Sequence, residues 1–178
     1  MKIIAFGASY SKQSINKKFA SFTAKQFNNS DIEILDLNNY KLPLFTVDIE
    51  SEKGFPENVR SFINKLAEAD MLVISMAEHN GSYTTAFKNL FDWASRLKMK
   101  MFEGKKMFLL STSTGQRGGA SVIEAANIRF PRHGAEIIAV FSLPNFQENF
   151  DIEKGIINEE LNKQFKDIIL TVKNKLTN

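Results

Sequence analysis

Apolar runs of strand length recur along the chain, and most are followed by a stretch with helical periodicity. "KIIAFG" (2–7), "DMLVISMA" (70–77), "KKMFLLSTS" (105–113) and "AEIIAVF" (135–141) are four of them. "DIEILDL" (31–37) alternates instead, as a strand does when one face is better covered. A strand reads as continuously apolar when helices cover both faces of its sheet, which is the situation of parallel sheets built from βαβ units.

The intervening stretches carry apolar stripes at helical spacing. Residues 14–28 place Ile15, Phe19 and Phe22 on one face, and residues 57–68 do so with Val59, Phe62, Ile63 and Leu66. Residues 84–98 repeat the pattern through Phe87, Leu90, Phe91, Ala94 and Leu97. A helix is predicted near 119–130, and a last one over 158–176 with Leu161, Phe165, Ile168, Ile169, Val172 and Leu176. Residues 38–56, "NNYKLPLFTVDIESEKGFP", read as a loop held by its own apolar residues. Five strands and five helices predict one α/β domain over residues 1–178. The expected architecture is a three-layer sandwich around a five-stranded parallel sheet in the order 2-1-3-4-5. Ligands of such sheets sit beyond the carboxyl ends of the strands.

Composition narrows the chemistry. The chain has no cysteine and two histidines, His79 and His133, so disulfides and thiolate metal sites are excluded and a histidine zinc site is disfavoured. No apolar stretch approaches the 18 to 20 or so residues of a membrane span. "MKIIAF" reaches Gly7 too soon to form a signal peptide's apolar segment, and a cytoplasmic location is expected. The net charge of +3 is spread along the chain rather than gathered on one face, which speaks against a nucleic-acid partner.

In a parallel sheet the loops after strands one, three and four emerge on one edge. Those loops are where the chain turns polar and glycine-rich: "GASYSKQSIN" (7–16), "EHNGSYT" (78–84) and "STSTGQRGG" (111–119). The first suits a phosphate monoester. Helix-start N–H groups point outward, Ser9, Ser11 and Ser14 add hydroxyls, Asn16 adds an amide and Lys12 a charge. It matches neither GxxxxGK[ST] nor GxGxxG. In the second loop Asn80-Gly81 favours a tight turn with positive φ, and His79 or Tyr83 is placed to lie along a flat heterocycle. The third offers hydroxyls, glycine backbone and Arg117.

These residues resemble the NADPH-dependent FMN reductases, the flavodoxin-like group that includes flavin, quinone, azo-dye and chromate reductases. "ASYSKQSIN" (8–16) is similar to that family's G-S-x-R-x-x-S-x-N. "LPLF" (42–45) with Asp48 is similar to its L-P-L-Y/F-x-x-D segment. "EHNGSYTTAFKNLFDWAS" (78–95) resembles P-E-Y-N-G-S-x-x-x-x-K-N-x-x-D-W-x-S, the most specific match. "STSTGQRGG" and "FDIEKGIINEEL" (150–161) follow the family's third loop and closing segment. Three positions depart from the pattern. Ser11 stands where the family has Arg, Ala77 where it has Pro, and His79 where it has Tyr.

The resemblance implies FMN on the rim. Its phosphate would lie among Ser9, Ser11, Lys12, Ser14, Ile15 and Asn16, and its ring against Ala77, Glu78, His79, Asn80 and Gly81 and against Ser113, Thr114, Gly115 and Gly118. It implies hydride transfer from NADPH or NADH to flavin N5, then reduction of a small acceptor such as a flavin, quinone or azo compound. No side chain is required as nucleophile or base, and Glu78 is expected to accept from loop N–H groups. The family's flavin site is completed across a homodimer, so a homodimer or homotetramer is expected. Trp93, which falls off the apolar stripe of its helix, is assigned to that interface. An electron carrier of flavodoxin type is disfavoured by the basic charge, since such carriers are acidic. An FMN-binding relative without turnover is the other alternative. A receiver-type signalling domain lacks its acidic residues, because the strand ends here read "GAS" and "MAEH".

Overall fold

The computed structural model describes residues 1–177, and its chain alternates between strand and helix as the apolar pattern requires. In order, the main elements are β1 (Lys2–Gly7), α1 (Ile15–Ala24), β2 (Asp31–Ile34), α2 (Val47–Lys53), α3 (Glu57–Glu68) and β3 (Met71–Met76). Then come α4 (Thr85–Leu97), β4 (Lys105–Thr112), α5 (Ala120–Arg129), β5 (Ala135–Leu143) and α6 (Glu159–Thr177). The five strands are all parallel and lie in the order β2-β1-β3-β4-β5. This is the expected flavodoxin-like arrangement. Two small hairpins, 78–83 and 150–156, decorate it.

Residues of the central strands alternate between two buried faces. Ile4, Phe6, Leu72, Ile74, Met107 and Leu109 face a core completed by α3, α4 and α5. Ile3, Ala5, Met71, Val73, Phe108 and Leu110 face a second core closed by α1 and α6 through Phe19, Phe165, Ile169 and Val172. Because helices cover both faces, side chains have little room to reach the sheet from outside, and open access is left at its ends.

Three boundaries differ from expectation. α1 stops at Ala24, and the chain tightens into a turn in which the N–H groups of Gln26 and Phe27 reach Thr23 and Ala24. Phe27 is still buried, so its apolar signal belongs to the turn rather than to a longer helix. The second strand ends at Ile34, and Asp36 then caps a short helical turn over Leu37–Tyr40. The stretch read as loop contains α2, which Thr46 caps by accepting the Ile49 N–H at 3.1 Å and which Gly54 ends at φ +70°. α2 has no fully buried residue, so it writes no apolar stripe into the sequence. Among the described residues no helix is long and apolar enough to cross a membrane.

Candidate functional site

The three polar loops do meet at the carboxyl edge of the sheet, where they enclose a cleft of about 240 Å³. Ser9, Ser11, Ser14, Ile15 and Asn16 line it from the first loop, Ala77, Glu78 and His79 from the second, and Ser113 and Thr114 from the third. Gln13 and Thr112 also line it and were not among the expected residues. Lys12 lies just outside, lining an adjoining cleft. Asn80, Gly81 and Gly115 stand exposed at loop tips, and Gly118 is buried behind the third loop.

The first loop is shaped by a close approach. A Cβ on Gly7 would fall 2.3 Å from the Lys17 nitrogen and 2.7 Å from the Asn16 carbonyl carbon, so glycine lets the first turn of α1 rest on the end of β1. The loop then coils on its own serines. Ser9 Oγ accepts the Ser11 N–H at 3.1 Å, Ser11 Oγ accepts the Gln13 N–H at 3.3 Å, and Ser14 Oγ caps α1 by accepting the Lys17 N–H at 3.1 Å. Each of these hydroxyls keeps its own proton free to donate. The N–H groups of Ile15 and Asn16, in the unpaired first turn of the helix, find no acceptor among the described residues. Five donors without acceptors, at the positive end of a helix dipole, are the donor set that a phosphate dianion satisfies.

The Asn16 side chain is otherwise employed. It is buried, with Nδ2 donating to the Thr112 carbonyl at 3.0 Å while Oδ1 accepts the Thr112 N–H at 3.1 Å and the Ser75 hydroxyl at 2.7 Å. It therefore ties α1 to the ends of β3 and β4, and what Asn16 offers the cleft is its backbone N–H. Thr84 plays a similar part. Its hydroxyl donates to the Ala8 carbonyl at 2.9 Å and accepts the Phe87 N–H, so it joins the first loop to the start of α4. Ser75, Thr84 and Thr112 could have been suspected only from their position, as buried hydroxyls where apolar strands end.

In the second loop Asn80 (φ 51°) and Gly81 (φ 73°) both take the left-handed conformation, making the two-residue turn of a hairpin in which His79 pairs with Ser82. Glu78 accepts the Val122 N–H at 2.9 Å, so its carboxylate holds the hairpin against the first turn of α5 rather than accepting from N–H groups of its own loop. His79 is exposed and lines the cleft. Tyr83 does not lie along a ligand face. Its ring turns inward and stacks on Phe130 at 6.3 Å, and burial pushes its hydroxyl up to about 12. The third loop is fixed at its rear, where the Gly118 carbonyl accepts from Ser111 and Ser142 hydroxyls at 2.7 and 2.9 Å. Arg117 is exposed and donates to Ser121 Oγ.

Trp93 corrects the sequence reading most clearly. It is fully buried within its own chain, edge-on to Phe45 at 5.0 Å, and its Nε1 donates to the Pro43 carbonyl at 2.9 Å. Asn89, one turn earlier, accepts the Phe45 N–H at 2.8 Å and donates to Pro43 at 3.0 Å. The residues of "KNLFDW" thus hold the 42–45 segment over α4, and the off-stripe position faces that loop instead of a second subunit.

The family model for NADPH-dependent FMN reductase matches residues 1–148. The chain belongs to this family. A protein of Mycoplasma pneumoniae is 30% identical over 154 residues, covering 82% of this chain and 89% of that one. The quinone reductase of Escherichia coli K12 is 37% identical over 79 residues, which is 44% of this chain and 42% of the relative, so that match spans less than half of either. Two solved structures share the fold of this family member. The NAD(P)H:acceptor oxidoreductase FerB of Paracoccus denitrificans superposes with TM-score 0.72 at 20% identity, covering 97% of both chains. An FMN-dependent NADH-azoreductase of Bacillus anthracis, solved in complex with FMN, does so with TM-score 0.66 at 16% identity and full coverage of both.

Proposed function

We propose that this chain holds FMN in the cleft at the carboxyl edge of its sheet and uses NADPH or NADH to reduce a small acceptor of the quinone, flavin or azo class. The observation that carries this reading is the set of five unpaired donors from Ser9, Ser11, Ser14, Ile15 and Asn16 in the first loop. FMN held there would supply the redox chemistry, hydride acceptance at N5 and two-electron delivery to the acceptor.

The chain's own residues position and enclose. The hydroxyls of Ser9, Ser11 and Ser14 and the N–H groups at the start of α1 bind the phosphate. Ala77, Glu78 and His79 form one wall for the ring, and Ser113 and Thr114 form the other. With Ser11 where the family has Arg, the phosphate charge is met by the helix terminus, with Lys12 at the edge. His79, exposed where it lines the cleft, would border the bound ring. No general base is called for. A cytoplasmic homodimer or homotetramer is the assembly that accompanies this reading.

The experiment is direct. Purified protein is mixed with FMN and NADPH, and the nucleotide's near-ultraviolet absorbance is followed with and without a benzoquinone. Steady loss that accelerates on adding the quinone is expected. An FMN-loaded protein that oxidises neither NADPH nor NADH would instead be a carrier or an inactive relative.

A further inference from the structure

Asn80-Gly81 is the one Asn-Gly pair in the chain, and it forms the tip of the hairpin whose Glu78 and His79 line the cleft. Asparagine is a labile residue because the backbone nitrogen that follows it can attack its side-chain amide carbon. Bulk beside that nitrogen, and hydrogen bonds that occupy either group, oppose the attack. Both are missing here. The two residues are exposed, and neither the Gly81 N–H nor the Asn80 side-chain amide has a hydrogen-bond partner among the described residues. Glycine has no Cβ, and the nearest atoms to where one would stand, in Ser121, are 4.0 Å away.

Other asparagines differ at this point. Asn29 is also exposed, but the Ser30 N–H that follows it donates to the Phe27 carbonyl at 3.1 Å, and Ser30 brings a side chain. After Asn38, the Asn39 N–H donates to the Asp36 carbonyl at 3.0 Å, and Asn38 Nδ2 itself donates to Asp36 Oδ1 at 2.9 Å. Ring closure at Asn80 bends the backbone out of its left-handed turn, so it proceeds when the hairpin opens. Only two residue pairs, Glu78 with Tyr83 and His79 with Ser82, close that hairpin. Opening so short a surface element costs far less than global unfolding.

We infer that Asn80 is a site of spontaneous deamidation and that its conversion disables the ring wall, a consequence that rests on the proposed FMN reading. Solvent hydroxide takes the Gly81 N–H proton, and the nitrogen bonds to Asn80 Cγ. The Cγ–Nδ2 bond breaks, and Nδ2 takes a proton from water and leaves as ammonia. Water then opens the cyclic imide, at Cγ to leave aspartate or at the main-chain carbonyl carbon to leave isoaspartate. Either product puts a carboxylate at the tip. Isoaspartate also lengthens the main chain by a methylene, which a two-residue turn cannot absorb while His79 faces Ser82.

The test incubates flavin-free protein in warm, mildly alkaline buffer and follows the peptide carrying Asn80 by mass spectrometry, for exchange of the amide for a carboxyl. Conversion of Asn80 ahead of Asn29 and Asn38 is expected, and slower in mildly acidic buffer. As conversion completes, FMN affinity is expected to fall about tenfold. Asn80→Gly still accommodates positive φ and has no amide, so over the same incubation it should hold the FMN affinity of its own fresh sample. An Asn80 that stays amidated, or converts no faster than Asn29 and Asn38, would overturn the inference. So would complete conversion with unchanged FMN affinity, or an equal loss of affinity in Asn80→Gly. A fresh protein that binds no FMN fails the reductase reading, and the mass measurement alone then decides whether Asn80 deamidates.

Discussion

Asn16 and Thr112, 96 residues apart in sequence, exchange two hydrogen bonds of 3.0 and 3.1 Å at the base of the cleft. The amide mimics a neighbouring strand's backbone just past the last β3–β4 pair, Met76 with Ser111, and it also receives the Ser75 hydroxyl. Removing it leaves three buried polar groups unpaired, each costing on the order of 1 kcal/mol or more. Asn16→Ala is therefore expected to lower unfolding free energy by about 3 kcal/mol in urea denaturation, and to weaken FMN binding because the first and third loops lose their tie. A variant as stable as the parent would show that the amide is dispensable.

Gly81 needs its backbone freedom and not its small size. The position is at φ +73°, and the nearest atoms to an added Cβ, in Ser121, are 4.0 Å away. A β-branched residue there is strained by about 1–2 kcal/mol or more. Gly81→Val should distort the turn that carries Ala77–His79 and reduce FMN affinity, measured by quenching of flavin fluorescence, whereas Gly81→Asn should be nearly neutral. Equal effects of Val and Asn would contradict the turn's role.

Trp93 is a packing residue of its own chain. Trp93→Ala should cost about 3–5 kcal/mol by opening a large cavity. Trp93→Phe, which keeps a ring but loses the bond to Pro43, should cost about 1 kcal/mol from the hydrogen bond. The elution volume of Trp93→Phe in size-exclusion chromatography should match that of the parent. A shift toward a smaller species would return Trp93 to a subunit interface.

Asp36 gives the acid limb of stability a specific contributor. The hydrogen bond from Lys17, with further bonds from the backbone and side chain of Asn38, holds its carboxyl at about 2. A carboxyl depressed in the folded state adds stability above its unfolded pKa and loses it as pH falls through the folded one. The advantage of the parent over Asp36→Asn in thermal unfolding should therefore be full near neutrality and shrink as pH drops from about 4 toward 2. A difference that does not change over that range would remove Asp36 as its source.

Sheet order and most helices are legible in the sequence because burial on both faces writes a continuous apolar run for each central strand and a stripe for each covering helix. The Asn80-Gly81 turn is legible for a local reason, since few other residues take positive φ. α2 is not legible, because it buries no residue fully and is held from outside, by Arg96 on Glu50 at 3.0 Å and by its Thr46 cap. The roles of Asn16, Glu78 and Trp93 depend on partners 96, 44 and 50 residues away, and local pattern cannot choose between a side chain that faces a ligand and one that faces such a partner. Trp93 is not legible, because its position off the stripe faces the 42–45 segment, which lies outside the helix's own periodicity.

The cradle formed by Ser9, Ser11, Ser14 and the first turn of α1 is the point on which the functional reading turns. The measurement is a paired titration of flavin-free protein with FMN and with riboflavin, which share the ring and differ in the phosphate. Several charge-assisted hydrogen bonds to the phosphate predict that FMN binds at least about a hundredfold more tightly. Equal affinities for the two would contradict the account.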